Sequence, residues 1–251
     1  MNIHVFVVSH GHGALLSQLA VLPLLNNKEN ISVYIKNNCH DDELMRFAQL
    51  HNINIINDKF GLGFGANNNY LYEQLKVNNK IQKGDYIVIL NPDVKISSDV
   101  IRGLADRMES EQVSIASINL FKNDEMTIYD NSIRKWPTLK NFIYSFLGKK
   151  NETIIDKTAI DSPLKVNWAA GSFIAIRAEL YEKLGGFDEG YFMYCEDIDL
   201  CYRAALLQES MIYYPEFKAV HYAAHANRTM LSKHFFWHVK SVIRFLIKKN
   251  M

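Results

Sequence analysis

The chain has 251 residues, 48% hydrophobic and 22% charged, with a formal net charge of +1, which suits one large α/β domain. So small a charge argues against a dedicated nucleic-acid binder, which normally shows a basic excess, and no nucleic-acid partner is expected. Three cysteines without C-x-x-C spacing (Cys39, Cys195, Cys201), no cleavable basic leader and no bilayer-length apolar run make a cytoplasmic protein the default.

In chain order, residues 3–8 read as a strand, broken by Ser9-His10-Gly11-His12-Gly13 and followed by helical apolar spacing over 14–25. A second strand is expected at 31–35, a polar loop at Asn37-Asn38-Cys39-His40-Asp41-Asp42 and a helix at 43–50. A third strand at 53–56 leads into Gly61-Leu62-Gly63-Phe64-Gly65 and a helix over about 66–75. Tyr86-Ile87-Val88-Ile89-Leu90 has the unbroken apolar character of a strand covered on both faces, and Asn91-Pro92 stops it. A helix at 99–109 and a strand at 113–118 complete the alternation expected of a doubly wound, mostly parallel sheet.

From 119 to 163 the alternation fades into an excursion with an apolar helical patch at 139–147, a place for acceptor contacts or a lid. Order returns with a strand at 173–176, a helix at 177–184, the acidic stretch Glu196-Asp197-Ile198-Asp199, and a strand at 211–214. On a helix Glu196 and Asp199 share a face with Arg203, and a solvated Asp199–Arg203 pair is expected.

Asp93 follows the carboxyl end of the 86–90 strand, the edge where open α/β sheets bind ligands. A carboxylate there can hold a hard cation that in turn holds a diphosphate; otherwise Asp93 shapes a turn or caps the helix signalled by Ser97-Ser98-Asp99. The glycines at 61, 63 and 65 do not fit a dinucleotide fingerprint, which follows the first strand. Close backbone approach explains them better. Asn67-Asn68-Asn69 at the next helix start suits either anion binding or simple capping. Glu196 and Asp197 follow Tyr191-Phe192-Met193-Tyr194, an aromatic surround that can desolvate a carboxylate and raise its pKa toward general-base duty.

Asn-Pro-Asp-Val, Gly-Phe-Gly-Ala-Asn-Asn, Trp-Ala-Ala-Gly-Ser-Phe and Gly-Gly-Phe-Asp-Glu with Phe-Met-Tyr-Cys-Glu-Asp-Ile-Asp together resemble the family 2 inverting glycosyltransferases of the GT-A fold, in particular the rhamnosyltransferase-like branch. The resemblance implies that Asp93 coordinates a divalent metal, Mg²⁺ or Mn²⁺, bridging a nucleotide-diphosphate sugar, and that Asp197 is the base, with Glu196 close by. His221 would reach the metal or diphosphate. Ser9, Asn37, Asn38, Gly63, Asn67, Asn68 and Asn91 would lie on the donor side, and Trp168, Gly171 and Ser172 would line the sugar and acceptor pocket. Three departures are visible: Asn91-x-Asp93 replaces the usual acid pair, Asn37-Asn38 replaces Asp-Asn, and Ser9-His10-Gly11-His12-Gly13 replaces the more usual Thr-Tyr-Asn.

The expected activity is inverting transfer of a sugar, with L-rhamnose from dTDP-rhamnose placed first, to a cell-surface glycan or lipid-linked acceptor. A UDP-hexose transferase, a nucleotidyltransferase and a non-catalytic binding module are the alternatives. The expected division is a transferase domain at 1–231, with nucleotide-binding (about 1–118) and acceptor-binding (about 119–231) parts, and a basic amphipathic helix at 232–251. Phe235, Phe236, Val239, Val242, Ile243 and Leu246 form its apolar stripe, among Lys233, Lys240, Arg244 and Lys248. That pattern suits a helix lying on the cytoplasmic face of the inner membrane, and equally one docked on the domain.

Overall fold

Every residue of Tyr86–Leu90 is buried, and the side chains alternate between two cores. Tyr86, Val88 and Leu90 join one cluster, and Ile87 and Ile89 the other. Each such side chain contributes about 1.5–3 kcal/mol by leaving water. A strand with two apolar faces needs cover on both sides, which fixes a sheet between helical layers.

The computed structural model describes residues 1–26, 28, 30–146, 148–149, 151–223 and 233–249. Its elements run β1 (Ile3–Ser9), α1 (Gly13–Leu19), α2 (Val21–Leu25), β2 (Ile31–Asn37), α3 (Asp42–Leu50), β3 (Asn54–Ile56), α4 (Phe64–Val77), β4 (Tyr86–Leu90), β5 (Val94–Lys95) and α5 (Ser98–Ser110). Then follow β6 (Ile115–Phe121), β7 (Ile133–Arg134), α6 (Leu139–Phe146), β8 (Leu164–Val166), β9 (Trp168–Ala169), β10 (Phe173–Arg177), α7 (Ala178–Lys183), α8 (Glu196–Leu206), β11 (Met211–His221) and α9 (Lys233–Lys249).

The main sheet has the order β3-β2-β1-β4-β10-β6-β11-β5, with β8 also on β11. The half β3-β2-β1-β4 is parallel throughout. Beyond it β10 is inserted antiparallel to both β4 and β6. The expected helix at 14–25 is broken at Ala20, whose φ of 49° places it in the left-handed region. The strand expected at 211–214 runs on to His221, passing Pro215 at a register shift between Tyr214 and Lys218. Proline is tolerated in a strand at such a bulge.

The C-terminal helix α9 docks on the domain. Val242 and Phe245 are buried in the second core, and Ser241 Oγ donates to the Met193 carbonyl at 2.8 Å. Arg244 reaches Asp188 at 2.8 Å. Lys248 reaches Asp188 at 3.1 Å and Asp199 at 2.6 Å. Burial opposes ionisation of Asp188, but Arg244, the Gly190 N–H and Lys248 hold its pKa down to about 2. The apolar stripe is therefore divided. Val242 faces the core, whereas Phe236 and Ile243 stand more than half exposed, at 59% and 53%, as does Ile247 outside the stripe, at 58%.

Asp199 corrects the expected solvated pair. It is fully buried, and Arg203 and Lys248 both bond it at 2.6 Å. An ionised carboxylate survives burial only with such compensation.

Candidate active site

The carboxyl end of β4 organises the site. After Leu90 the chain turns, with Val94 N–H donating to the Asn91 carbonyl at 3.2 Å. The helix cap that Asp93 could have served is filled by Ser97, whose side chain accepts from Val100 N–H. The short β5 then pairs antiparallel with the end of β11, setting His221 opposite Val94. Asp93 and His221 thus meet, Nε2 to Oδ1, at 3.4 Å. On its other edge His221 Nδ1 lies 2.7 Å from Asp130 Oδ2. Burial lowers the imidazole's pKa, but the two flanking carboxylates outweigh it and push it up to about 9.

A backbone link ties this corner to the acidic motif. Asn91 N–H donates to the Ser172 carbonyl at 3.0 Å, and the adjacent Gly171 N–H donates to Asp197 Oδ2 at 3.1 Å. Phe173, next in line, opposes Leu90 in the sheet. Both acidic motifs therefore hang from the β4–β10 end of the sheet. A Cβ on Gly171 would meet the Phe64 ring at 3.2 Å, so the close approach favours glycine.

Glu196 and Asp197 open α8 after two successive left-handed residues, Tyr194 (φ 71°) and Cys195 (φ 63°). Such geometry in residues other than glycine costs of order 1 kcal/mol each and clusters at functional sites. The pair borders a cavity of about 350 Å³, with Arg134, Asn141, Trp168, Tyr194 and His238 among its walls. The Arg134 guanidinium lies over the Trp168 ring at 5.4 Å, and Trp168 Nε1 donates to the Lys135 carbonyl at 2.9 Å.

Burial raises both carboxyl pKa values. Glu196 rises to about 8, with the Asp197 charge adding to the effect. Asp197 is raised by burial too, but the Gly171 and Ile198 N–H groups and Arg134 favour its ionised form. Glu196 Oε2 is buried with no hydrogen-bond partner among the described residues. The shared proton therefore belongs on Glu196, leaving Asp197 as a carboxylate able to accept one.

That assignment sets a stability test. With its pKa raised from 4.5 to about 8, Glu196 contributes fully below pH 4.5, and the contribution is lost as pH rises toward and through 8. Glu196→Gln removes the penalty, at most about 5 kcal/mol. At pH 9 the variant should melt several degrees above wild type, with the gap closing toward pH 5. Parallel melting curves at both pH values would refute the protonated Glu196.

The donor-side residues lie at the carboxyl ends of β1 and β2 and around the glycine loop. Ser9 and Asn37 are paired neighbours. Asn38 braces the loop, accepting from Leu62 N–H and donating to the Leu62 carbonyl, both at 2.9 Å. Asn67 donates to the carbonyls of Leu62 at 3.0 Å and Gly63 at 2.9 Å, and Asn68 to that of Phe64 at 3.0 Å. Asn67 and Asn68 are fully buried, so in this structure their side chains shape the loop. Gly63 is crowded by the Phe192 backbone, which leaves no room for a Cβ. Ser172 is buried with its hydroxyl unpartnered among the described residues.

No group of three or more His, Cys, Asp or Glu among the described residues could hold a metal ion. Asp93 and His221 still suit an ion completed by diphosphate and water. Their 3.4 Å separation is close to the roughly 3 Å between adjacent ligands on an octahedral ion with bonds of about 2.1 Å. Arg134 and Asp130 carry no sequence signal: each is a single residue in the irregular excursion, placed only by the chain's return path.

Residues 2–239 match the family described as glycosyltransferase like family 2. The chain is 38% identical to "Rhamnosyltransferase WbbL" of Escherichia coli (strain K12), over 99% of this chain and 94% of that protein. It is 26% identical to "N-acetylglucosaminyl-diphospho-decaprenol L-rhamnosyltransferase" of Mycobacterium tuberculosis (strain ATCC 25618 / H37Rv), over 98% of this chain and 84% of that one. Among solved structures, a crystal structure of GalNAc-T7 with UDP, GalNAc and Mn²⁺ superposes with a TM-score of 0.63 at 12% identity, over 88% of this chain and 44% of that chain. At that identity the likeness carries the fold, which is GT-A.

Proposed function

The chain belongs to the glycosyltransferase like family 2 and is a glycosyltransferase, and we propose that it transfers L-rhamnose from dTDP-rhamnose, with inversion, to a hydroxyl of a lipid-linked glycan. The observation that carries this reading is Asp197. Its carboxylate sits in a walled cavity, oriented by Gly171 N–H and tied through Ser172 and Asn91 to the strand end that bears Asp93.

In the proposed reaction the acceptor hydroxyl enters the cavity and gives its proton to Asp197 as its oxygen bonds to the sugar's anomeric carbon. The bond from that carbon to the diphosphate oxygen breaks on the opposite face, and the nucleoside diphosphate leaves with the electron pair. Asp93 and His221 would hold a divalent ion, which supplies positive charge to the departing diphosphate. Arg134, close enough to bias Asp197 toward its ionised form, keeps the base ready. Ser9, Asn37 and the loop braced by Asn38 and Asn67 would form the nucleoside end, with Trp168 and Ser172 at the sugar.

A thermal-shift panel tests the donor. At a hundred times its dissociation constant a ligand adds about 2.7 kcal/mol, which is about 5–10 °C in a chain of this size. The rise is expected with dTDP-rhamnose and Mn²⁺. A rise with UDP-hexoses and none with dTDP-rhamnose would replace the donor.

The acceptor's lipid brings in α9. No helix among the described residues is long and apolar enough to cross a membrane. The exposed row Phe236, Ile243 and Ile247, with exposed Lys240 beside it and no acidic residue in the helix, suits an anionic bilayer surface. Arg244 and Lys248 already bind Asp188, so the apolar row carries most of this contact. The double variant Ile243→Asp/Ile247→Asp should lose about tenfold or more in flotation with anionic vesicles while keeping its melting temperature. Undiminished flotation would exclude the contact.

A further inference from the structure

Nothing so far gives Asp130 a function, yet it makes the shortest contact to His221. Its place follows from a tight polar return. After β6 the chain reverses at Asn123, whose side-chain oxygen accepts from Thr127 N–H at 3.2 Å and Ile128 N–H at 2.9 Å. Phe121 and Tyr129 form a bridge, and Asp130 N–H donates to the Leu120 carbonyl at 2.9 Å. Val220, beside His221, pairs with Phe121 in parallel register. The reversal therefore sets the Asp130 carboxylate against His221 Nδ1 at 2.7 Å.

Other charges face Asp130. Lys157, nine-tenths or more out of solvent, donates to Ser132 Oγ at 2.8 Å, and Lys157 and Lys122 place positive charge near the Asp130 carboxylate. The bond from Asp130 to the imidazole fixes the ring's rotation. The other ring nitrogen, Nε2, is the one turned toward Asp93.

We propose that Asp130 is a positioning residue: when a divalent cation displaces the proton on His221 Nε2, Asp130 keeps the remaining ring proton on Nδ1, so that the Nε2 lone pair faces the same point as the Asp93 carboxylate and completes the protein's share of the cation site. This rests on the reading above that Asp93 and His221 hold the ion. A carboxylate behind a ligating imidazole sets its tautomer and strengthens its donor power, and losing it costs 10–100-fold in metal affinity. With only one carboxylate in Asn91-x-Asp93, a well-oriented imidazole matters more here. In Asp130→Asn the amide can donate to Nδ1, which moves the ring proton to Nε2, where the ion must bind.

The test is Mn²⁺ binding by the full chain with saturating thymidine diphosphate, read from the electron paramagnetic resonance of free Mn²⁺. Asp130→Asn should weaken Mn²⁺ by 10–100-fold with nucleotide binding in the absence of metal unchanged, and Asp130→Glu should restore most of the loss. His221→Ala should weaken it at least as much. Mn²⁺ affinity unchanged by Asp130→Asn but lowered by His221→Ala overturns the positioning role alone. Affinity unchanged by both overturns the metal site itself and this role with it. Wild-type protein gives an answer that needs no variant to fold: with Mg²⁺ and thymidine diphosphate bound, nitrogen NMR of His221 should show the Nδ1–H tautomer. An Nε2–H signal would overturn the proposal.

Discussion

Replacing Asp197 with asparagine is expected to lower the rate of sugar transfer by about 10²–10⁴-fold, the range a positioned general base supplies, with donor affinity changed by less than about threefold. The amide has nearly the same shape and its oxygen can still accept from Gly171 N–H, so the turn at the head of α8 should survive. What it cannot do is take a proton. Glu196 is a poor replacement, because burial, the larger cause of its raised pKa, persists in the variant, and it lacks the Gly171 and Ile198 N–H donors that favour the ionised form of Asp197. Calorimetric donor binding beside a single-turnover assay separates the two effects. Near wild-type turnover in Asp197→Asn would remove the base assignment.

The second large effect is at Asp93. Asp93→Ala is expected to weaken Mn²⁺-dependent donor binding by about a hundredfold or more, because it deletes the only carboxylate of the Asn91-x-Asp93 element. A loss of that size is about 2.7 kcal/mol, within reach of one removed metal ligand. Nucleotide binding in a chelator should be the same in both proteins. An equal loss with and without metal would mean that Asp93 acts by shaping the turn.

These two carboxylates were legible in the sequence for different reasons. Asp93 stands out because Tyr86–Leu90 is an unmistakable buried strand and proline ends it. Asp197 stands out through its aromatic surround and the resemblance of its motif. Their connection through Gly171, Ser172 and Asn91 was not legible, since backbone hydrogen bonds between distant segments leave no periodic trace. His221 was placed just after a strand ending near Tyr214. The strand in fact carries it, because a bulge lets the ladder continue past Pro215.

The tail was half legible. Its helical period is plain, but Phe236, Val242 and Ile243 are equally apolar, and only packing decides that Val242 is covered while the other two are not. Asp199 shows the same limit in reverse. An i,i+4 partner is visible at Arg203, whereas Lys248, far along the chain, is what completes its compensation and makes full burial possible. Asn67 and Asn68 look like exposed amides at a helix start, yet Asn38 and Asn67 together brace the glycine loop from inside.

The configuration of the product's new anomeric carbon tests the central claim most directly. Wild-type protein supplied with dTDP-rhamnose, Mn²⁺ and a lipid-diphosphate-linked acceptor should give a single glycoside whose one-bond carbon–hydrogen coupling reports inversion relative to the donor. A retained configuration would contradict a single displacement with Asp197 as base.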